Sequence, residues 1–174
     1  VPMGPDGRPL HYRDIAVLAY RTPAGRASAM AAASPEVSAS SSQPQYPPRG
    51  AADGDPDTFW VSHGYRAGEG PTEERPDWLR FEFSESFAAA SIFVVPRPQW
   101  GPRACSFQAS DDGKTFRTIA RFEVKRGTPL EVPFDPVSSR IFRLLIESCY
   151  DGGINVQVSE VEILKQGERP RASG

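Results

Sequence analysis

The stretch that decides the fold is Asp77-Trp78-Leu79-Arg80-Phe81-Glu82-Phe83. From Leu79 onward, apolar residues at odd positions alternate with charged residues at even positions. A period of two predicts a half-buried antiparallel strand that has one face in the core and the other in solvent. We also expect the two tryptophans at the starts of such segments, Trp60 and Trp78, to be core residues.

Further short segments with strand character follow, separated by Pro, Gly or Asp residues. They cover residues 91–95, 106–110, 116–122, 130–134, 141–148 and 156–164. The Asp112-Gly113 pair provides the tolerance for positive φ that a tight hairpin turn requires. The 18 prolines and 15 glycines argue against long uninterrupted helices. The sequence therefore predicts an all-β protein, a sandwich or jelly roll.

The last predicted strand changes the phase of its alternation. Val156 and Val158 occupy even positions, whereas Val161 and Ile163 occupy odd positions. A buried face can change phase in this way only where an extra residue is inserted, which predicts a β-bulge near Ser159-Glu160. Because a bulge redirects side chains, Glu160 becomes a candidate functional carboxylate.

Composition excludes several classes of partner. The 174 residues are 39 % hydrophobic and 24 % charged, which suits one packed domain. The formal net charge of −2 argues against nucleic acid as a ligand. The longest apolar stretch, residues 87–95, falls short of the ~20 residues that cross a bilayer, so we expect no membrane partner.

The two cysteines, Cys105 and Cys149, have no metal-binding spacing. They could form one disulfide if the fold brings their Cα atoms to about 5.5–6 Å. Two free thiols are the alternative, and the sequence leaves both open.

The densest acidic cluster is Asp53-Gly54-Asp55-Pro56-Asp57-Thr58. Carboxylates two residues apart resemble the first half of a calcium loop, but the Gly and Glu of an EF-hand are absent at the sixth and twelfth positions. The other interpretation is a loop of Asx turns, in which the aspartates accept backbone amides.

Five motifs in order along residues 34–165 resemble the coagulation factor V/VIII C-type, or discoidin, superfamily, and above all the family 32 carbohydrate-binding modules. They are residues 52–62 (ADGDPDTFWVS), 76–79 (PDWL), 95–97 (VPR), 110–116 (SDDGKTF) and 158–162 (VSEVE). The resemblance implies a galactose-binding-like jelly-roll β-sandwich, a structural calcium ion and a sugar site on loops at one end.

The resemblance also implies which residues hold the calcium ion. The matching positions are Gly50, Asp53, Asp55, Thr58, Ser159 and Glu160. Carboxylate, carbonyl and hydroxyl oxygens together suit calcium better than a softer metal. The ion would connect the acidic loop to the bulge inferred above.

The sugar ligands carried over from the family begin with Arg97, whose guanidinium suits vicinal hydroxyls. The Asn that the family places a few residues later is missing, which puts galactose specificity in question. Trp100, in a Pro-rich loop, is a candidate stacking platform, or else folds back over its loop. The remaining candidates are polar or aromatic loop residues: His63, Tyr65, Tyr150 and Asp151. His63 could equally be an incidental loop residue.

We therefore expect a non-catalytic domain, because no GxSxG nucleophile elbow, phosphate loop or His-rich metal motif is present. Residues 1–33 are expected to be a linker and a strand of a neighbouring region, residues 34–165 the module, and residues 166–174 a tail. The run at 11–20 resembles a strand of large multidomain glycoside hydrolases similar to α-L-rhamnosidases. A monomeric, extracellular or periplasmic module that targets such an enzyme to polysaccharide is expected; a spacer or docking domain without a sugar site is the alternative.

Overall fold

The structure, a computed structural model, describes residues 34–171. The expected linker, the strand near residues 11–20 and the end of the tail lie outside the described residues. The described part contains seven strands and one short 3-10 helix, Pro48–Ala51. The strands are β1 Glu36–Ala39, β2 Trp60–Val61, β3 Asp77–Pro96, β4 Ala104–Ser110, β5 Arg117–Glu123, β6 Leu130–Ile146 and β7 Gln157–Leu164.

The strands form an antiparallel arrangement in the order β2-β7-β3-β6-β4-β5, with β1 paired to β3. The first half of β3 lies between β1 and the second half of β6, whereas its second half lies between β7 and the first half of β6. The pairing of β3 with β6 shifts register between Glu82 and Phe87 and between Ala89 and Ser91, where β3 passes from one set of neighbours to the other. Strands β3 and β6 thus run through both layers, as the predicted jelly-roll sandwich requires.

The core confirms the alternation that decides the fold. Leu79, Phe81 and Phe83 are buried, with 0 %, 1 % and 4 % of their surface exposed. Trp60 is fully buried, as expected. The expectation for Trp78 is wrong: it is half-buried and not part of the core cluster, because the period of two places it on the face of Arg80 rather than that of Leu79.

The predicted bulge and hairpin turn are both confirmed. Val95 pairs with Glu160 and Pro96 with Val158, so Ser159 is the extra residue in β7. Between β4 and β5, Gly113 has φ +73°, and Asp112 Oδ1 accepts the amides of Lys114 and Thr115 at 2.8 Å each. These amides hold the pKa of the Asp112 carboxyl near 2.

The structure leaves both cysteine thiols free. Cys105 pairs with Ile146 in the ladder between β4 and β6. Cys149 lies beyond β6 and forms an isolated backbone β-bridge with Pro102. Burial raises the pKa of both thiols, that of Cys149 to about 11. The disulfide alternative is therefore wrong for this fold.

Candidate functional site

The acidic loop between β1 and β2 gathers oxygen atoms around one hydroxyl. Thr58 Oγ1 lies 3.2 Å from the carbonyl oxygen of Gly50, 2.8 Å from Asp53 Oδ1 and 3.0 Å from the carbonyl oxygen of Asp55. A hydroxyl has a single proton to donate, so it cannot satisfy three acceptors at once. This convergence of oxygens is what a hard cation requires.

The same loop contains the Asx turns of the other interpretation. Asp53 Oδ1 accepts the amide of Asp55 at 3.0 Å, and Asp55 Oδ1 accepts the amide of Asp57 at 2.9 Å. Gly54 between them has φ +76°, a conformation that glycine adopts without strain. The turns thus give the loop its shape, and the oxygen cluster is a consequence of that shape.

Glu160 reaches this loop from the distant bulge in β7. Only 3 % of Glu160 is exposed, and its Oε2 accepts the amide of Gly54 at 3.1 Å. The other carboxylate oxygen, Oε1, is buried and has no hydrogen-bond partner. Burial, with smaller contributions from the charges of Glu162 and Asp53, raises the pKa of Glu160 to about 7. A buried carboxylate oxygen without a donor is unfavourable unless a cation accompanies it.

The residues present fit a calcium ion. The structure brings together Gly50, Asp53, Asp55 and Thr58 around one point, with Glu160 bound to the same loop. Within residues 34–171, no three His, Cys, Asp or Glu side chains are grouped closely enough to hold a metal. The donors here are two carboxylates complemented by carbonyl and hydroxyl oxygens, a set that calcium accepts. The part of Ser159, the bulged residue, stays a prediction.

Apart from Arg97, the sugar candidates lie on or beside the β6–β7 loop, residues 147–156. Trp100 donates its Nε1–H to the carbonyl oxygen of Asp151 at 3.1 Å and accepts the amide of Gln157 at 2.9 Å. Trp100, with φ +51°, and Asp151, with φ +60°, are the non-glycine residues with positive φ in the described part of the chain. Such strain persists only where surrounding contacts impose it, and it is concentrated at functional sites.

Tyr150 and Asp151 are held by a residue that the sequence analysis missed, Arg126 in the β5–β6 loop. The Arg126 guanidinium forms a salt bridge with Asp151 and lies 4.8 Å from the centre of the Tyr150 ring. The bond to Asp151 raises the pKa of Arg126 above its ordinary value. The Tyr150 hydroxyl donates to the carbonyl oxygen of Val124 at 3.0 Å. No spacing in the sequence indicated this contact between two loops.

His63 and Tyr65 lie on the other flank of the β6–β7 loop. Their rings meet edge to face with centres 5.1 Å apart, and 62 % of Tyr65 is exposed. The carbonyl oxygen of Gly64 between them accepts Nδ2–H of Asn155 at 3.0 Å. A Cβ at Gly64 would lie 2.0 Å from the carbonyl oxygen of Ile154, so the close approach of the two loops requires glycine.

Asn155 is a second residue that the sequence analysis missed. It is 4 % exposed, and its Oδ1 accepts Nε2–H of Gln157 at 3.3 Å. Its side-chain Nδ2–H donates to the carbonyl oxygen of Gly64. Since Gln157 also bonds to the backbones of Trp100 and Arg97, Asn155 connects both flanks of the loop.

Arg97 has different neighbours from Trp100. Its amide donates to the carbonyl oxygen of Gln157 at 3.4 Å, and its guanidinium carbon lies 4.2 Å from the centre of the Phe59 ring. Its Nε is buried without a hydrogen-bond partner. Phe59 in turn stacks on Tyr46, with ring centres 4.6 Å apart. The structure thus places Arg97 beside the acidic loop, and its contact with sugar stays a prediction.

Several solved structures similar to this chain are carbohydrate-binding modules. The Clostridium perfringens module CpGH89CBM32-5, in complex with GalNAc-β-1,3-galactose, is 17 % identical, with a TM-score of 0.64 over 75 % of this chain and 94 % of that one. The family 32 module of Clostridium perfringens NanJ, in complex with galactose, is 19 % identical, with a TM-score of 0.62 over 74 % and 92 %. A pectin-binding module is 22 % identical, with a TM-score of 0.60 over 78 % and 93 %. At these identities the likeness establishes a shared fold.

Sequence comparison identifies the family. No curated protein matches the chain. In residues 34–171, no helix has the length and apolar character needed to traverse a bilayer. The family model for the F5/8 type C domain matches residues 36–161, well over half of the chain, from β1 into the bulged strand β7. The chain therefore belongs to the F5/8 type C domain family.

Proposed function

We propose that this domain is a non-catalytic carbohydrate-binding module that binds a galactose- or rhamnose-like sugar of a polysaccharide at the β6–β7 loop. The observation that carries the proposal is the placement of two aromatic residues, Tyr65 and Trp100, on loops hydrogen-bonded to the two flanks of this loop. The sugars in the solved complexes of similar modules support the ligand class.

The chemistry of the loops suits a sugar. The indole of the half-buried Trp100 is fixed through its Nε1–H, and a pyranose would stack its apolar C–H face on the exposed part of this ring. Burial of about 50–100 Å² by such stacking contributes roughly 1–2.5 kcal/mol. His63 is exposed beside Tyr65 and can both donate to and accept from hydroxyls.

The salt bridge between Arg126 and Asp151 is one of two side-chain contacts that tie neighbouring loops to the β6–β7 loop. It connects the β5–β6 loop to the β6–β7 loop, while Trp100 connects the β3–β4 loop to the same segment. Binding loses less conformational entropy when the contact residues are already ordered. We therefore assign Arg126 a positioning role at the sugar site.

Calorimetric titration of the chain against galactose, rhamnose and plant polysaccharides tests the proposal. We expect dissociation constants between about 10 µM and 10 mM, because a small exposed site buries little area. Trp100→Ala should weaken binding about 5- to 70-fold, the equivalent of the stacking contribution above. Tyr65→Ala and Arg97→Ala should weaken it as well.

Trp78→Phe is the matched control, since Trp78 is a half-buried tryptophan on β3 that makes none of these loop contacts. It should leave the affinity unchanged. Absence of binding to every glycan would refute the proposal and favour a spacer or docking role within a glycoside hydrolase.

A structural calcium ion belongs to the proposed function. The support is the convergence of acceptors on Thr58 and the unpartnered Oε1 of Glu160. When bound, calcium would supply positive charge that satisfies these oxygens and holds the acidic loop to β7. The domain would then act outside the cytoplasm, extracellular or periplasmic, as a monomeric part of a larger polysaccharide-degrading enzyme, to which it brings the substrate.

A further inference from the structure

A pocket of about 220 Å³ opens beside the 3-10 helix, apart from the loop site. Its wall is formed by residues of the β1–β2 connection, chiefly Gln45, Tyr46, Arg49, Asp57 and Phe59. None of the six candidate sugar residues lines it. Gly50, Asp53 and Thr58, three of the candidate calcium ligands, also line it.

Two of the lining residues form a stacked aromatic pair. The rings of Tyr46 and Phe59 stack at 26° with their centres 4.6 Å apart. The Arg97 guanidinium packs on Phe59, and the carbonyl oxygen of Tyr46 accepts the amide of Val61 at 3.3 Å. Because Tyr46 and the Arg97 guanidinium already pack on the Phe59 ring, the ring of Tyr46 is the aromatic surface on which the C–H face of a pyranose would stack.

The rim of the pocket provides polar groups in the planar geometry that adjacent hydroxyls require. The carboxylate of Asp57, the guanidinium of Arg49 and the amide of Gln45 are exposed. Within residues 34–171, none of these three side-chain groups has a hydrogen bond or a salt bridge. Their capacity for hydrogen bonding is therefore directed outward.

Size and charge define the ligand. A volume of about 220 Å³ is below the 300–1,000 Å³ typical of sites for drug-sized ligands, so it suits one small ring. With Asp53 assigned to calcium, the lining keeps one carboxylate, Asp57, and one guanidinium, Arg49, and this balance of charge suits an uncharged ligand. We propose that this pocket binds one pyranose unit that carries no carboxylate, as a second sugar site. The inference shares the ligand class of the proposed function, and the calcium ligands Gly50, Asp53 and Thr58 line this pocket, but it does not depend on the aromatic residues of the β6–β7 loop site.

Two-dimensional amide NMR of the uniformly ¹⁵N-labelled full chain tests this, with the calcium concentration fixed because Asp53 and Thr58 line the pocket. The probes are methyl galactoside, methyl rhamnoside, glucosamine and galacturonic acid, each raised to about 50 mM, above the weak end of the affinity range. We expect at least one of the first three to shift the amides of Asp57 and Phe59 saturably. Galacturonic acid should leave them in place.

Asp57→Asn removes the carboxylate charge without removing any side-chain contact. It should lower the affinity for the sugar that shifts these amides by about tenfold or more. Tyr46→Ala should abolish the effect, and a preserved amide spectrum elsewhere verifies its fold. Glu85→Gln, an exposed carboxylate at the bend of β3, is the control and should change nothing. Unaltered affinity in Asp57→Asn would overturn the proposal.

The same spectra distinguish binding at the two proposed sugar sites. Shifts of the Trp100 indole without shifts at Asp57 and Phe59 overturn this inference and leave the proposed function intact. Shifts at Asp57 and Phe59 alone support the inference and contradict the loop site. Shifts at neither site refute both, and stronger shifts with galacturonic acid than with the neutral sugars refute the stated ligand class.

Discussion

Replacement of Glu160 by Gln is the sharpest test of the buried carboxylate. In the folded chain the pKa of Glu160 is about 7, above its ordinary value of 4.5. The folded state without metal therefore favours the protonated form. The contribution of this group to stability is fully present below pH 4.5 and is lost as the pH rises through 7.

The magnitude of the loss follows from the two pKa values. At about 1.36 kcal/mol per pKa unit, the difference corresponds to about 3 kcal/mol of unfolding free energy. For a domain of this size, that amounts to a fall in melting temperature of about 6–12 °C. The groups that face Glu160 are Asp53 and Glu162, which raise its pKa, and Gly54 N–H and Arg171, which lower it. All four remain in the Gln variant, so the comparison isolates this one titration.

Thermal unfolding in the presence of a chelator, from pH 4.5 to 8, measures this effect. The wild-type melting temperature should fall with rising pH by about 6–12 °C more than that of Glu160→Gln. Added calcium should raise the wild-type value at pH 8 and leave the variant unchanged. Glu85→Gln should behave as wild type. Parallel curves for wild type and Glu160→Gln would refute the reasoning, and a wild type insensitive to calcium and to chelator would refute the metal site.

Three further predictions concern the loops and the thiols. Gly64→Ala should destabilise the domain by about 1–3 kcal/mol and lower its sugar affinity, because a Cβ there meets a carbonyl oxygen of the β6–β7 loop. Denaturant unfolding measures the stability and calorimetry the affinity, and wild-type values of both would contradict the close approach. Arg126→Ala should reduce sugar affinity and increase acrylamide quenching of Trp100, whereas Lys125→Ala, its exposed neighbour, should do neither; equal effects would refute a positioning role. The thiol of Cys149, with its pKa near 11, should be about one part in a thousand ionised at pH 8 and should react slowly with alkylating reagents. The buried Cys105 should react only after unfolding. Rapid labelling of either thiol in the folded chain would contradict this expectation.

Regular features of the fold could be predicted because they depend on neighbours in the sequence. The alternation of Leu79, Phe81 and Phe83 determines which face of β3 enters the core. The phase change between Val158 and Val161 located the bulge at Ser159. Trp78 was assigned to the core by its residue type, although its position in the same alternation places it on the outer face.

Contacts between distant loops could not be predicted. Arg126 meets Asp151 and Asn155 meets Gly64 only after the strands bring these connections together, and Tyr46 meets Phe59 only after the long β1–β2 connection folds back on itself. The family motifs indicated Arg97 as a sugar ligand, but its packing on Phe59 depends on how β3 ends beside β7. Period and spacing describe one segment at a time and carry no information on such pairs.

The sequence by itself determined an all-β sandwich and the β-bulge, because local alternation dictates them; the oxygen ligands of the acidic loop were implied only by the resemblance to the family and stay a prediction. Only the tertiary structure decided that Glu160 leaves one carboxylate oxygen unpartnered beside that loop, that Trp100 and Asp151 are held in strained conformations, and that Tyr46 and Phe59 form a pocket. Burial and electrostatic interaction depend on distances in space, and those are set by packing residues as far as 106 positions apart in the chain.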